Sequence, residues 1–220
     1  MFLNAAELGD VEIVKDCIQI PNLNVNCVDY MGRNALLLAI QTENLDLIDL
    51  LLGYLNFWAI EDALLHVISQ NKVTIVKLII DHERYTEQEH LRGTSVGERS
   101  QFSPDITPMI LAAHYGNHEI IQLFLSRNKF IERPHPVLCE CETCELSKEE
   151  DSLNFARSRL NKYRAFASPA YMALASPDPI STTFHLRQEL KVLAKYQIEF
   201  RVSSCHIHMG NIYTRYHFMI

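Results

Sequence analysis

Four stretches of the chain share one rhythm of apolar and polar positions: FLNAAELGDVEIVKDCI (2–18), NALLLAIQTENLDLIDLLL (34–52), DALLHVISQNKVTIVKLII (62–80) and TPMILAAHYGNHEIIQLFL (107–125). Each predicts a short apolar helix, a polar break, and a second helix that ends in an aliphatic run. In the fourth, Thr107 is placed as an N-cap with Pro108 at the first helical position. Ala112 and Ala113 are small where two helices must pack closely, and Gly116 stands where the chain has to turn. A positive φ is cheap for glycine there. The first stretch carries the same signs at Ala5, Ala6 and Gly9.

This pattern resembles the ankyrin repeat, most closely in the fourth stretch. After the first one comes LNVNCVDYMGRNAL (23–36), with Asn26, Asp29 and Gly32 where an ankyrin array places its β-turn finger. The aligned positions Ala6, Ile40, Ile68 and Ala113 are separated by 34, 28 and 45 residues, against a usual period of about 33. A shortened link before the third repeat and an insertion before the fourth account for the departures. The insertion, ERYTEQEHLRGTSVGERSQFSPD (83–105), is polar and nearly free of aliphatics, which predicts a solvent-exposed loop. The fold expected is therefore all-α, an ankyrin solenoid of about four repeats over residues 1–130. Such stacks bind proteins on a concave face and normally carry out no chemistry.

Residues 151–200 predict further helices. Leu153, Ala156, Leu160 and Tyr163 recur at helical spacing, with Arg157, Arg159, Lys162 and Arg164 interleaved as a solvated face or, alternatively, an interface to an acidic partner or a lipid headgroup. Ser168-Pro169 stops that helix, and Asp178 with Pro179 starts the next, whose apolar stripe is Leu186, Leu190 and Leu193. These helices are expected to extend the ankyrin stack. The tail, 201–220, has no amphipathic period. Its CHIH run, from Cys205, could complete a metal site only by borrowing ligands.

Composition narrows the function. A net charge of −7, a pI near 5.8 and no basic run argue against nucleic acid as a partner. The longest apolar patches, such as Leu50-Leu51-Leu52, are far too short to span a membrane. The N-terminus lacks the basic and apolar regions of a secretory signal. Six cysteines in 220 residues do not make a disulfide scaffold, which points to a reduced, cytosolic chain. No phosphate loop, nucleophile elbow or His-Glu-x-x-His motif is present, so no enzyme is expected, and His66, His114 and His118 fall on repeat helices as packing or surface residues.

The candidate chemistry lies in RPHPVLCECETCEL (133–146), within a loop expected over 131–150. His135, Cys139, Cys141 and Cys144 form H-x3-C-x-C-x2-C. Thiolate and imidazole are the ligands zinc prefers, and three plus one completes a closed, structural tetrahedron. Pro134 and Pro136 stiffen the backbone around His135. Three reduced cysteines in a polar loop, or a Cys141–Cys144 redox pair, are the alternatives that spacing leaves open. Cys17 and Cys27 lie in the first repeat and its finger, where a cysteine is more often a small buried residue than a ligand.

Beyond these local readings, LNVNCVDYMGRNALLLAIQTENLDLIDLLL, SPDITPMILAAHYGNHEIIQLFL (103–125), IERPH (131–135) and above all SLNFARSRLNKYRAFASPAYMALASPDP (152–179) resemble the N-terminal cytosolic region of TRPC-type transient receptor potential channels. The likeness runs from residue 2 to about 200, with repeats, cysteine loop and linker in the family's order. It implies the assembly region of a calcium-permeable, non-selective cation channel, opened downstream of phospholipase C. The partners implied are other TRPC-type subunits in a homo- or heterotetramer, with cytosolic regulatory proteins besides. It implies zinc as a structural cofactor held by His135, Cys139, Cys141 and Cys144, and a place on the cytoplasmic side of the plasma membrane. The chain contains no pore, no membrane span and no leading tail before the first repeat, so a fragment, a splice product or an incomplete gene model is expected. The alternative function is a soluble truncated product that acts as an ankyrin scaffold or a dominant-negative regulator.

Overall fold

The computed structural model describes residues 1–88, 102–136, 139–196 and 200. Among them, regular structure is helical apart from an isolated antiparallel bridge between Val28 and Asn34. The chain forms two compact units, Met1–Pro104 and Asp105–Ile220. The fourth repeat therefore shares a unit with the linker helices.

In the first unit, three helix pairs follow one another: α1 (Phe2–Leu8) with α2 (Val11–Ile18), α3 (Ala35–Thr42) with α4 (Leu45–Leu52), and α5 (Phe57–Ser69) with α6 (Val73–Asp81). The turn inside each pair is made by a left-handed residue, Gly9 at φ 76°, Glu43 at φ 53° and Asn71 at φ 55°. The finger between the first two pairs is closed by the Val28–Asn34 bridge and by Asp29, whose carboxylate accepts from the Met31 and Arg33 amides and pairs with the Arg33 guanidinium at 2.7 Å. Between α4 and α5 only residues 53–56 intervene, which is the shortened link that the spacing predicts.

In this unit each helix that starts at an asparagine is capped by it. Asn34, Asn44 and Asn56 accept from the amides of Leu37, Leu47 and Ala59 through their side-chain oxygens, which satisfies a donor the helix leaves over. The same residues also reach the neighbouring repeat. Asn34 Nδ2 donates to the Ala59 carbonyl at 3.1 Å, Asn44 Nδ2 donates to the Gly9 carbonyl at 3.2 Å, and the Asn56 amide donates to Asn26 Oδ1 at 2.9 Å. Between the helices lie fully buried aliphatics such as Leu36, Ile48, Leu51, Ile60 and Leu64.

The segment after α6 differs from the exposed loop expected over 83–105. Its first residues form α7 (Glu83–Gln88), and Tyr85 is buried. The Tyr85 ring stacks on Phe57 at 5.7 Å, and its hydroxyl donates to the buried Glu61 carboxylate at 2.7 Å. One aromatic with a polar tip thus converts a polar stretch into a docked helix. Residues 89–101 of the insertion lie outside the described residues.

In the second unit, α8 (Pro108–Tyr115) and α9 (His118–Ser126) are the fourth repeat. Thr107 Oγ1 caps α8 by accepting from the Ile110 amide at 3.3 Å, and Gly116 ends it at φ 69°. Among the described residues four helices follow: α10 (Glu142–Glu150), α11 (Ser152–Phe166), α12 (Pro169–Ala175) and α13 (Pro179–Tyr196). Helix α11 packs on α8, and α12 packs on α9, so the linker continues the stack. Asp105 helps fix that contact, accepting from Asn161 Nδ2 at 2.7 Å and facing Arg157 Nε at 3.5 Å. A core of Tyr163, Met172, Leu186, Leu190, Leu193 and Phe200 joins α11, α12 and α13.

Three sequence expectations are corrected here. Residues 142–150 of the expected loop are helical, and residues 169–175 form a separate helix where only a proline break is legible. On α11 the stripe also sits differently: Leu153 is 72% exposed, whereas Arg159, assigned to the solvated face, is 4% exposed. The expected tail, 201–220 with Cys205, lies outside the described residues.

Candidate metal centre

His135 and the three cysteines converge, although they come from different kinds of backbone. Cys141 is the N-cap residue of α10, and Cys144 stands three residues into it. Those two positions face each other across the first helical turn, so a C-x2-C spacing at a helix start brings two sulfurs together. The Cys144 and Glu145 amides donate to the Cys141 carbonyl at 2.9 and 3.0 Å. Glu142 and Glu145 occupy the first turn, where acidic side chains suit the helix dipole. Cys139 is turned back on the preceding segment by its amide bond to the Pro136 carbonyl at 3.1 Å.

His135 arrives on the irregular segment 131–136, which is tied to the linker helices residue by residue. The Ile131 amide donates to Tyr171 Oη at 3.1 Å, Lys162 Nζ lies 3.4 Å from Glu132, and Arg133 meets Glu189 at 2.7 Å. Arg159 donates to the His135 carbonyl at 3.3 Å. Glu189 also accepts from the Tyr163 hydroxyl at 2.6 Å. Burial, and then that bond, pushes the Tyr163 phenol up to about 12. Pro134 is buried and, like Pro136, keeps the residue before it out of the helical region. The imidazole itself is exposed.

His135 Nδ1 lies 3.2 Å from Cys141 Sγ and 3.5 Å from the sulfurs of Cys139 and Cys144. All four ligand atoms fall within 4.8 Å of one another. A tetrahedral zinc with bonds of about 2.3 Å to sulfur and 2.0 Å to nitrogen sets nitrogen and sulfur about 3.5 Å apart, and sulfur and sulfur about 3.8 Å apart. The donor set, and the nitrogen–sulfur distances of 3.2 to 3.5 Å, therefore fit a four-coordinate metal ion that takes sulfur and nitrogen. Cys144 is the buried member.

The thiols differ in acidity. The Cys144 amide, followed by the neighbouring Cys139 and Cys144 thiols and His135, holds Cys141 down at about 6, so it is a thiolate at neutral pH. Burial, and then its sulfur neighbours, pushes Cys144 up to about 11. A thiolate at a helix N-terminus beside a second thiol is also what a redox pair presents. Here His135 and Cys139 lie in the same cluster, within 4.8 Å of both thiols, and a redox pair needs only two of these four groups.

Helix pairs in ankyrin order, a one-histidine, three-cysteine cluster and a set of linker helices define the class, an ankyrin-repeat protein with a His/Cys cluster able to hold a metal ion where repeats give way to linker. Comparison with known proteins agrees. The family model described as Transient receptor ion channel II matches residues 139–201, and the ankyrin repeat model matches 105–131. The chain is 44% identical over 205 residues to mouse Short transient receptor potential channel 4 (Mus musculus), which takes in 91% of the chain and 21% of that protein. It is 46% identical over 207 residues to the Transient receptor potential-gamma protein of Drosophila melanogaster, covering 91% of the chain and 18% of the relative. With human Short transient receptor potential channel 3 the identity is 41% over 214 residues, covering 91% and 23%. The chain belongs to the TRPC-type transient receptor potential family. It spans about a fifth of the length of the curated relatives it matches. Among the described residues no helix is long and apolar enough to cross a membrane.

Sequence spacing singled out the four residues of the cluster but not the residues that hold them in place. Arg159, Lys162, Tyr171 and Glu189 lie 24 to 54 residues from His135, and their ties to segment 131–136 exist only once the linker helices are packed.

Proposed function

We propose that the chain is the N-terminal cytosolic assembly region of a calcium-permeable, non-selective cation channel, linked to phospholipase C and lying on the cytoplasmic side of the plasma membrane. In this reading it mediates contacts between TRPC-type subunits of a homo- or heterotetramer. The observation that carries the reading is the uninterrupted likeness to such channels over nine-tenths of the chain, through repeats, cluster and linker in one order. Residues 1–130 act as the repeat platform, 131–150 as a metal-braced segment that ends in helix α10, and 151–200 as linker helices.

His135, Cys139, Cys141 and Cys144 are the ligands in this reading, and zinc is the metal. With all four corners supplied by protein, no position is left for water, so the metal would supply cross-linking rather than catalysis. The benefit is local. Residues 139–151 bury only one cysteine and no aliphatic side chain, and binding energy at such a site becomes folding energy.

The test is co-assembly. A tagged copy of the chain, expressed with full-length TRPC-type subunits, is expected to recover them from detergent extracts well above an unrelated ankyrin-repeat control. Recovery equal to that control would overturn the assembly role and favour a stand-alone scaffold.

A further inference from the structure

One aromatic ring beside the cysteine cluster carries two cations, and each cation holds a ligand residue. Lys148 Nζ lies 5.9 Å from the centroid of the Phe155 ring, and Arg159 Cζ lies 5.6 Å from it. Lys148 Nζ donates to the Cys139 carbonyl at 3.3 Å. Arg159 donates to the His135 carbonyl, also at 3.3 Å. Lys148 comes from the last turn of α10, while Phe155 and Arg159 share one face of α11, four residues apart. Neither cation needs to be where it is for solubility. Arg159 is almost wholly buried, and burying a guanidinium is costly unless the surroundings use it.

Charge explains the use. Three thiolates and a neutral imidazole around a divalent ion leave a net charge of −1, close to the protein interior. Two positive side chains beside the cluster offset it, and their bonds to the carbonyls of Cys139 and His135 fix the backbone of two of the four ligands. An aromatic face attracts both cations and orders their long side chains in advance.

We propose that Phe155 is the positioning residue of the metal centre, seating Lys148 and Arg159 so that they hold the Cys139 and His135 backbones and compensate the thiolate charge. This rests on the reading of the cluster as a zinc site. Outer-shell partners of this kind typically alter metal affinity by about 10- to 100-fold.

The experiment compares zinc release from the purified chain to excess chelator, followed with a chromogenic zinc indicator, for wild type, Phe155→Trp, Phe155→Leu and Lys148→Gln. Leucine keeps the apolar bulk and removes the π face, whereas tryptophan keeps the face. Release is expected to be about ten-fold faster in Phe155→Leu and in Lys148→Gln, and at or below the wild-type rate in Phe155→Trp. Lys148→Gln carries the test if the leucine variant does not fold, since Lys148 sits at the partly exposed end of α10. A leucine variant that releases zinc no faster than the tryptophan variant would overturn this inference alone, by reducing Phe155 to filler. A wild-type chain that holds no zinc would overturn both the inference and the metal reading beneath it.

Discussion

Replacing Cys144 with serine is expected to bring zinc content from near one per chain to near zero, and to strip hydrogen-exchange protection from residues 126–165 before any other part of the chain. Cys144 is the buried member of the proposed ligand set, and a serine hydroxyl is neither soft nor readily ionised, so affinity should fall by about a thousand-fold or more. The local effect follows from what the segment lacks. Helix α10 has only Cys144 buried, whereas α11 and α13 bury several side chains each. A strong chelator should reproduce the exchange pattern in the wild type. Elemental analysis with exchange mass spectrometry checks both, and Cys27→Ser, in the finger, is the control that should leave the metal in place. Protection that stays uniform with and without chelator would contradict the bracing role.

Phe57→Ala carries the second large effect, about 3–5 kcal/mol of lost stability in the first unit. Phe57 is 1% exposed, meets Trp58 edge-on at 5.2 Å and stacks on Tyr85. Its removal leaves a cavity and also withdraws the surface on which α7 is docked. Freed from that stack, the Tyr85 hydroxyl loses its fixed approach to the buried carboxylate of Glu61, and a buried carboxylate short of a donor is itself destabilising. Urea denaturation should show a lower midpoint for the first unit, with zinc content unchanged. The two substitutions thus separate the units: one moves the metal and leaves the first unit folded, the other does the reverse. Loss of zinc in Phe57→Ala would show that the repeats and the cluster do not stand apart energetically.

What could be read in advance was whatever rests on neighbours in sequence. Thr107, Pro108 and Gly116 act within a few residues of themselves, so the start and stop of α8 were legible, and the three-plus-one spacing of the cluster was as local. The same holds for the leucine stripe of α13, because helical period and burial coincide there. Arg159 shows where such reading ends. Along the chain it is one of four alternating basic residues. Only the folded unit places it over Phe155 and against the His135 carbonyl, turning a surface charge into a buried one. Tyr85 is a parallel case: a lone aromatic in a charged stretch shows no periodicity, and its partners Glu61 and Phe57 lie 24 and 28 residues away. The helix at 142–150 is hidden for another reason. Its sequence is acidic and almost without apolar residues, so no hydrophobic pattern announces it, and Cys141 at its N-cap is an unusual start.

The asparagines that open α3, α4 and α5 have a consequence for how the array assembles. Each both starts its own helix and bonds a residue of an adjoining repeat 25 to 35 positions away, so nucleating a helix and sealing an interface are one event. In a one-dimensional array, stability divides between what a unit has alone and what it gains from its neighbours, and these amides shift weight to the second share. Order then spreads as a front, with one formed repeat templating the next, and short loops rather than long ones are closed at every step. A repeat at the boundary of such a front has little reason to hold its shape unless the next is already in place.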